Sequence, residues 1–350
     1  MNPRQRVLTA ISGGKPDRVP IYLWLAPHLE KRLWETRGIV DVEESLHMDI
    51  RFVQYVAKPE ELDFSPFTTE YPADTWIDAW GVGYQPVGYY HFTNTFHPMK
   101  DFTTVEEVAG YPIPRREPDI AAMRMQVEEI HSRGLATCSQ YERGPWEKAF
   151  YLMGMEQIMM RLHTHPETIA FLLDRISDVN ARIAAAYAES GVDIIWFGDD
   201  LGAQNGPLIN PDMWRRFIKP NDLKLINAAR AVRPDVPIAM HSCGAVLWAL
   251  DDLVEMGVDC IQSLQPEAND LAEIKSRFGD RLSFWGGIGS QSTLSHGTVE
   301  EVRDEVKCQI EIMGKGGGYI CASSHVVEPE APLENLDAFI EAVDSFGVYP

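Results

Sequence analysis

The sequence predicts an α/β fold, a (β/α)8 TIM barrel that carries an N-terminal aromatic-rich insertion over its active face. Short apolar, β-branched or aromatic runs alternate with helix-period segments along most of the chain, and eight such runs can be counted. No glycine-rich dinucleotide fingerprint follows the first run, and an open doubly wound sheet needs no particular strand number, so the count favours a closed barrel. With 350 residues, 45% hydrophobic and 24% charged, the chain fits one barrel domain spanning 1–350 with an insertion at about 60–103.

The elements follow in order. Asn2 to Gly14 is a helical pattern closed by Gly13-Gly14, and Lys15-Pro16-Asp17 turns the chain into strand one, 19–24 (VPIYLW). An amphipathic stretch around Leu29 to Trp34 precedes strand two, 49–57 (DIRFVQYVA), read from its β-branched and aromatic content. The insertion is rich in Pro, Gly, Thr and aromatic residues (Trp76, Trp80, Tyr84, Tyr89, Tyr90, Phe92), which predicts short strands and turns. A helix at 119–133 leads to strand three, 135–141. Helices at 146–162 and 167–189 lead to strand four, 192–197. The rhythm continues with helix 212–231, strand five (237–241), helix 245–256, strand six (258–264) and helix 270–278. Strand seven (282–285), helix 298–313, strand eight (318–322) and helix 333–345 close the chain.

A formal charge of −21 argues against nucleic acid and anionic membrane surfaces, which are bound by clustered Lys and Arg. The start, MNPRQRVLTAISGGKP, has no apolar signal core, and no stretch approaches the ~20 apolar residues of a membrane span, so the sequence predicts a cytoplasmic protein with no membrane partner. Five scattered cysteines (Cys138, Cys243, Cys260, Cys308, Cys321) point to free thiols or metal ligands.

Strand five ends in His241-Ser242-Cys243-Gly244. At the carboxyl end of a barrel strand, a His and a Cys two residues apart lie on one face and can share a zinc ion. The same mouth collects Gln140 and Glu142 after strand three and Asp199-Asp200 after strand four. Gln262 or Gln265 arrives after strand six, and Ser323-Ser324 leads to His325 after strand eight. His325 is the favoured third ligand because it lies in a polar loop; Cys321, inside the run Tyr319 to Ala322, is the alternative. Three protein ligands leave an open position, the catalytic arrangement of zinc, with Asp199, Asp200 or Glu156 available as a fourth ligand or hydrogen-bond partner. His91 and His97 in the insertion are further candidates to face substrate, whereas His163 and His165 suit a helix end.

Five motifs carry a resemblance. NPRQRVLTAISGGKPDRVPI (2–21), FGDDLGAQNGPLINPDMWRRFIKP (197–220), HSCG, FWGGIGSQSTL (284–294) and GGYICASSHVVEPEAPLENL (317–336) resemble the uroporphyrinogen decarboxylase superfamily, especially its corrinoid-linked methyltransferase branch. The resemblance covers nearly the whole chain. It implies a barrel with zinc on the His-x-Cys after strand five, which His241 and Cys243 match, and a further cysteine ligand after strand eight, where this chain has His325. The arginine-bearing N-terminal motif of the true decarboxylases is replaced by IYLWLAPH, which with the charge of −21 argues against porphyrinogen as substrate.

The implied function is zinc-dependent transfer of a methyl group between a small donor, an aryl methyl ether or similar O- or N-methyl compound, and the cobalt of a corrinoid (cobalamin) supplied by a partner protein. Asp199 and Asp200 are then the candidate catalytic carboxylates, and Gln204, Gln140 and Gln262 the candidate substrate-binding residues. The alternatives are a methylcobamide:thiol methyltransferase and a metal-independent decarboxylase of the uroporphyrinogen decarboxylase type using Asp199 or Asp200. A third is a barrel that only holds a ligand or a corrinoid protein.

Overall fold

The computed structural model describes residues 1–350 apart from His91, Tyr141 and Pro350. All eight expected barrel strands form: β1 (Ile21–Tyr22), β2 (Ile50–Val53), β3 (Ala136–Ser139), β4 (Ile195–Gly198), β5 (Ile238–His241), β6 (Cys260–Ser263), β7 (Ser283–Ile288) and β8 (Tyr319–Ser323). β1 pairs with β8, and β7, β6, β5 and β4 follow in one parallel sheet, which ends on a short strand, Glu142–Arg143. β2 and β3 form their own parallel ladder, tied to β4 through a bridge between Cys138 and Ile194.

The arrangement is that of a TIM-like barrel whose ladder is not continuous. Between β1 and β2 the Asp49 amide donates to the Ile21 carbonyl at 3.0 Å, while the Ile21 amide donates to the Asp49 carboxylate at 2.8 Å. A side chain thus stands in for a backbone acceptor, and Arg6 and Arg18 hold it in place. The interior is filled by rings from β1, β2, β4 and β7. Tyr22 meets Phe52 and Trp285 edge-on at 5.3 and 5.4 Å, and Trp196 lies 5.3 Å from Phe52 and 5.6 Å from Trp285. This aromatic plug is a packed core that closes the barrel below its mouth.

Three expected helices differ. The segment 146–162 is two helices, Pro145–Met153 and Met155–Thr164, parted at Gly154 with φ +90°. The segment 212–231 is also two, Pro211–Phe217 and Lys219–Val232; the Pro220 nitrogen cannot donate to the carbonyl four residues back, so the helix restarts. The helix expected from 245 begins at Leu250, because the Ala245 and Val246 amides donate to the Ala203 carbonyl and the Asn269 side chain. In the insertion, Trp76–Ile77, Gly83–Pro86 and Thr93–Phe96 form a three-stranded antiparallel sheet. No helix among the described residues is long and apolar enough to cross a membrane.

Candidate metal centre

β5 delivers His241 as its last residue, and the chain then leaves the strand in a loop pinned from three sides. The Cys243 amide donates to Asp200 Oδ1 at 2.9 Å, the Gly244 amide to Gln265 Oε1 at 2.5 Å, and the Leu201 amide to Ser242 Oγ at 2.9 Å. Gly244 has φ +71°, and a Cβ there would meet the Gly202 backbone at 2.5 Å, so only glycine lets the loop lie against it.

This pinning brings His241, Cys243 and His325 together, with one donor atom of each within 4.8 Å of the others. His241 Nε2 lies 3.3 Å from Cys243 Sγ. His241 Nδ1 meets Gln262 Oε1 at 2.5 Å. An amide oxygen can only accept, so the proton sits on Nδ1 and the Nε2 lone pair faces the thiol. Burial lowers the His241 pKa and keeps the ring neutral, as a ligand must be. Burial, reinforced by Asp200, raises the Cys243 thiol far above its ordinary value, so its thiolate calls for a cation beside it. His325 stacks on Trp24 with centroids 5.2 Å apart, and the Trp24 amide donates to Ser323 Oγ at 3.2 Å. Two imidazoles and a thiol this close form a donor set that zinc accepts.

The other expected site residues divide. Asp200 stays at the centre, with Oδ1 3.7 Å from His241 Nε2. Asp199, expected beside it, is fully buried and caps the helix Pro145–Met153, accepting from the Trp146 and Glu147 amides at 3.0 and 2.7 Å. Its neighbour is Asp222, also fully buried, and burial pushes both carboxyls up, Asp222 to about 7. Asp199, expected as a catalytic carboxylate, thus meets a helix start in this structure and not the His241–Cys243 pair. Gln262, expected to meet substrate, is 1% exposed and engaged with His241. Gln204 is exposed and donates to the Glu267 carbonyl at 3.1 Å, whereas Gln140 lines a cavity under the insertion.

Glu156 is exposed in the first turn of Met155–Thr164 and stands outside the donor cluster. Cys321 is fully buried with its thiol raised to about 12 by burial, next to Tyr319 and Glu305, so it faces the helical layer. His97 Nδ1 binds the Tyr151 carbonyl at 2.7 Å, and His91 lies outside the described residues. Two residues of the helix Pro145–Met153 escaped sequence reasoning. Glu147 adds negative potential at the Cys243 thiol, and Lys148 faces the cavity. Their one signal is the Gly-Pro helix start directly after strand three, which sets both on the first turn at the mouth.

A family model described as uroporphyrinogen decarboxylase (URO-D) matches residues 82–346. The methylcobamide:CoM methyltransferase MtaA of Methanosarcina barkeri is 30% identical over 179 residues, which cover 50% of this chain and 49% of that protein. The chain thus spans about half the length of the methylcobamide relatives it matches. The uroporphyrinogen decarboxylase of Actinobacillus succinogenes is 23% identical over 257 residues, 71% of this chain and 70% of that one. A solved methyltransferase from Methanosarcina mazei superposes with a TM-score of 0.74 at 20% identity, covering 99% of both chains, a likeness of fold.

Proposed function

Because this chain belongs to the uroporphyrinogen decarboxylase family, we propose that it is a zinc-dependent methyltransferase moving a methyl group between a small donor and the cobalt of a corrinoid carried by a partner protein. The observation that supports this reading is the convergence of His241, Cys243 and His325 at the carboxyl end of the barrel. The M. barkeri relatives add support through the activity in their name.

His241, Cys243 and His325 would hold the metal. A zinc ion there supplies Lewis-acid activation of the donor's heteroatom, or of a thiol acceptor. The chain's own residues do the rest. Gln262 fixes the His241 tautomer, and Asp200 holds the Cys243 backbone in place. Trp24 orients His325 and, with Trp196, walls the site with apolar rings that exclude water. When methyl passes from an ether oxygen to cobalt, the oxygen keeps the bonding pair and takes up a proton from solvent, which Asp200, beside the ligands, would relay.

The aromatic insertion above the mouth favours an aryl methyl ether as donor. Transfer to a thiol is the second reading, favoured by the CoM acceptor in the relatives' name. The decarboxylase reading loses one of its two candidate proton donors, because Asp199 is fully buried.

The test is metal content by mass spectrometry on wild type, Cys243→Ala and His325→Ala, followed by methyl transfer from methoxybenzenes to a cobalt(I) corrinoid. About one zinc per chain, lost in both variants together with transfer, is expected. Wild type prepared without chelators that binds no zinc sinks the reading.

A further inference from the structure

Under the antiparallel insertion lies a cavity of about 630 Å³ walled by rings, among them Trp76, Trp80 and Tyr84, and by three cations, Arg116, Arg143 and Lys148. The chain has 31 Lys and Arg against 52 Asp and Glu, so three cations on one cavity run against its overall charge. Asp78 and Glu142 also line it, and both are engaged. Asp78 accepts from the Trp80 and Val82 amides at 2.8 and 3.0 Å, and Glu142 lies 3.7 Å from Arg116. Three cations less two carboxylates leave a net charge of +1.

Lys148 differs from the other cations. It is 6% exposed, its ammonium sits 4.9 Å from the centroid of the Trp80 indole, and among the described residues it has no hydrogen bond or ion pair. A buried ammonium with only a ring for a partner is strongly disfavoured, and burial lowers its pKa accordingly. An anion entering the cavity would supply the missing partner. The cavity opens on the same end of the barrel as the metal centre and is linked to it through charge. Gln140, at the carboxyl end of β3, is on its wall, and Arg143 lies 4.0 Å from Glu147, whose charge reaches Cys243.

Resting on the methyltransferase reading, we propose that this cavity seats the methyl donor and that the donor is an aromatic monocarboxylate bearing the methyl ether. Lys148 and the flanking arginines take the carboxylate, and Trp80 and Tyr84 pack on the ring. A single negative charge matches the net +1 of the lining, and about 630 Å³ leaves ample room for a one-ring acid.

The experiment compares 4-methoxybenzoate with its neutral counterpart methoxybenzene on the purified protein, by calorimetry and by quenching of tryptophan fluorescence. The acid is expected to bind about tenfold tighter or more. Lys148→Met brings the two to equal affinity, and Lys148→Arg keeps the preference. Equal binding of both compounds to wild type overturns the proposal, as does an acid preference that survives in Lys148→Met. Binding is read without turnover. Selective acid binding with no methyl transfer therefore keeps the anion site and removes the methyltransferase reading, while transfer from both compounds without preference does the reverse.

Discussion

At the amino-terminal end of the barrel, Asp49, Asp193 and Asp259 stand just before β2, β4 and β6, and each is paired. Asp49 binds Arg6 and Arg18, Asp193 binds Arg4 and His131, and Asp259 binds Arg230. At the carboxyl end, His241, Cys243 and His325 turn toward one another, and Lys148 faces a cavity. One end pairs its carboxylates within the chain; the other gathers metal-type ligands and sets a buried ammonium on a cavity wall. Barrels divide stability and function between their ends in this way, and here the division can be traced residue by residue.

Breaking the comparison from the mouth side has the largest expected effect. Cys243→Ala should lower methyl transfer by about 100-fold or more and abolish metal binding. Its thermal midpoint should barely move; a large fall would mean that the mouth also carries stability. Gln262→Leu leaves the His241 tautomer free, and zinc affinity should fall by about 10-fold to 100-fold in competition with a chelator. Unchanged affinity would remove Gln262 from its positioning role.

From the other end, Asp193→Ala strands His131 and the Thr137 amide, both bonded to the carboxylate at 2.9 and 3.0 Å. Unfolding by denaturant should show a loss of about 2 kcal/mol, since Arg4 is half exposed and its pair is screened. Metal content should not change.

The Asp199–Asp222 pair gives a smaller effect tied to pH. Its folded carboxyls sit above their ordinary value, Asp222 at about 7, whereas in the unfolded chain they release protons near 4. The stability this adds is complete below about pH 4 and is lost as pH rises through about 7. The unfolding midpoint should therefore decline across that window, and Asp222→Asn, which supplies a donor without a titratable proton, should flatten the decline. The smallest effect is expected at Glu156→Gln, an exposed change outside the donor cluster that should leave zinc content at wild-type level.

Much of this molecule is written locally. The eight strands are legible because each is a short apolar run bounded by turn residues, and His241, Cys243 and His325 because each closes or directly follows such a run. Cys321 stayed an alternative ligand in the sequence, and only the structure shows it beside Tyr319 and Glu305 on the helical side of its strand. Helix breaks were harder to see. The phase change at Gly154 and the missing amide at Pro220 interrupt segments whose apolar period continues across the break.

The sequence by itself determined the fold class and the residues of the donor set, because strand alternation and strand ends are properties of neighbouring residues. Tertiary structure alone set the contacts of Asp199 and Asp200 apart. They are chemically identical and adjacent, yet one carboxylate turns down to cap a helix while the other holds the Cys243 amide. It also decided that Gln262 serves His241 and that Lys148 meets Arg116 and Arg143 around one cavity. These are matters of direction and distance between segments remote in sequence, and only the closed packing of barrel, helices and insertion fixes them.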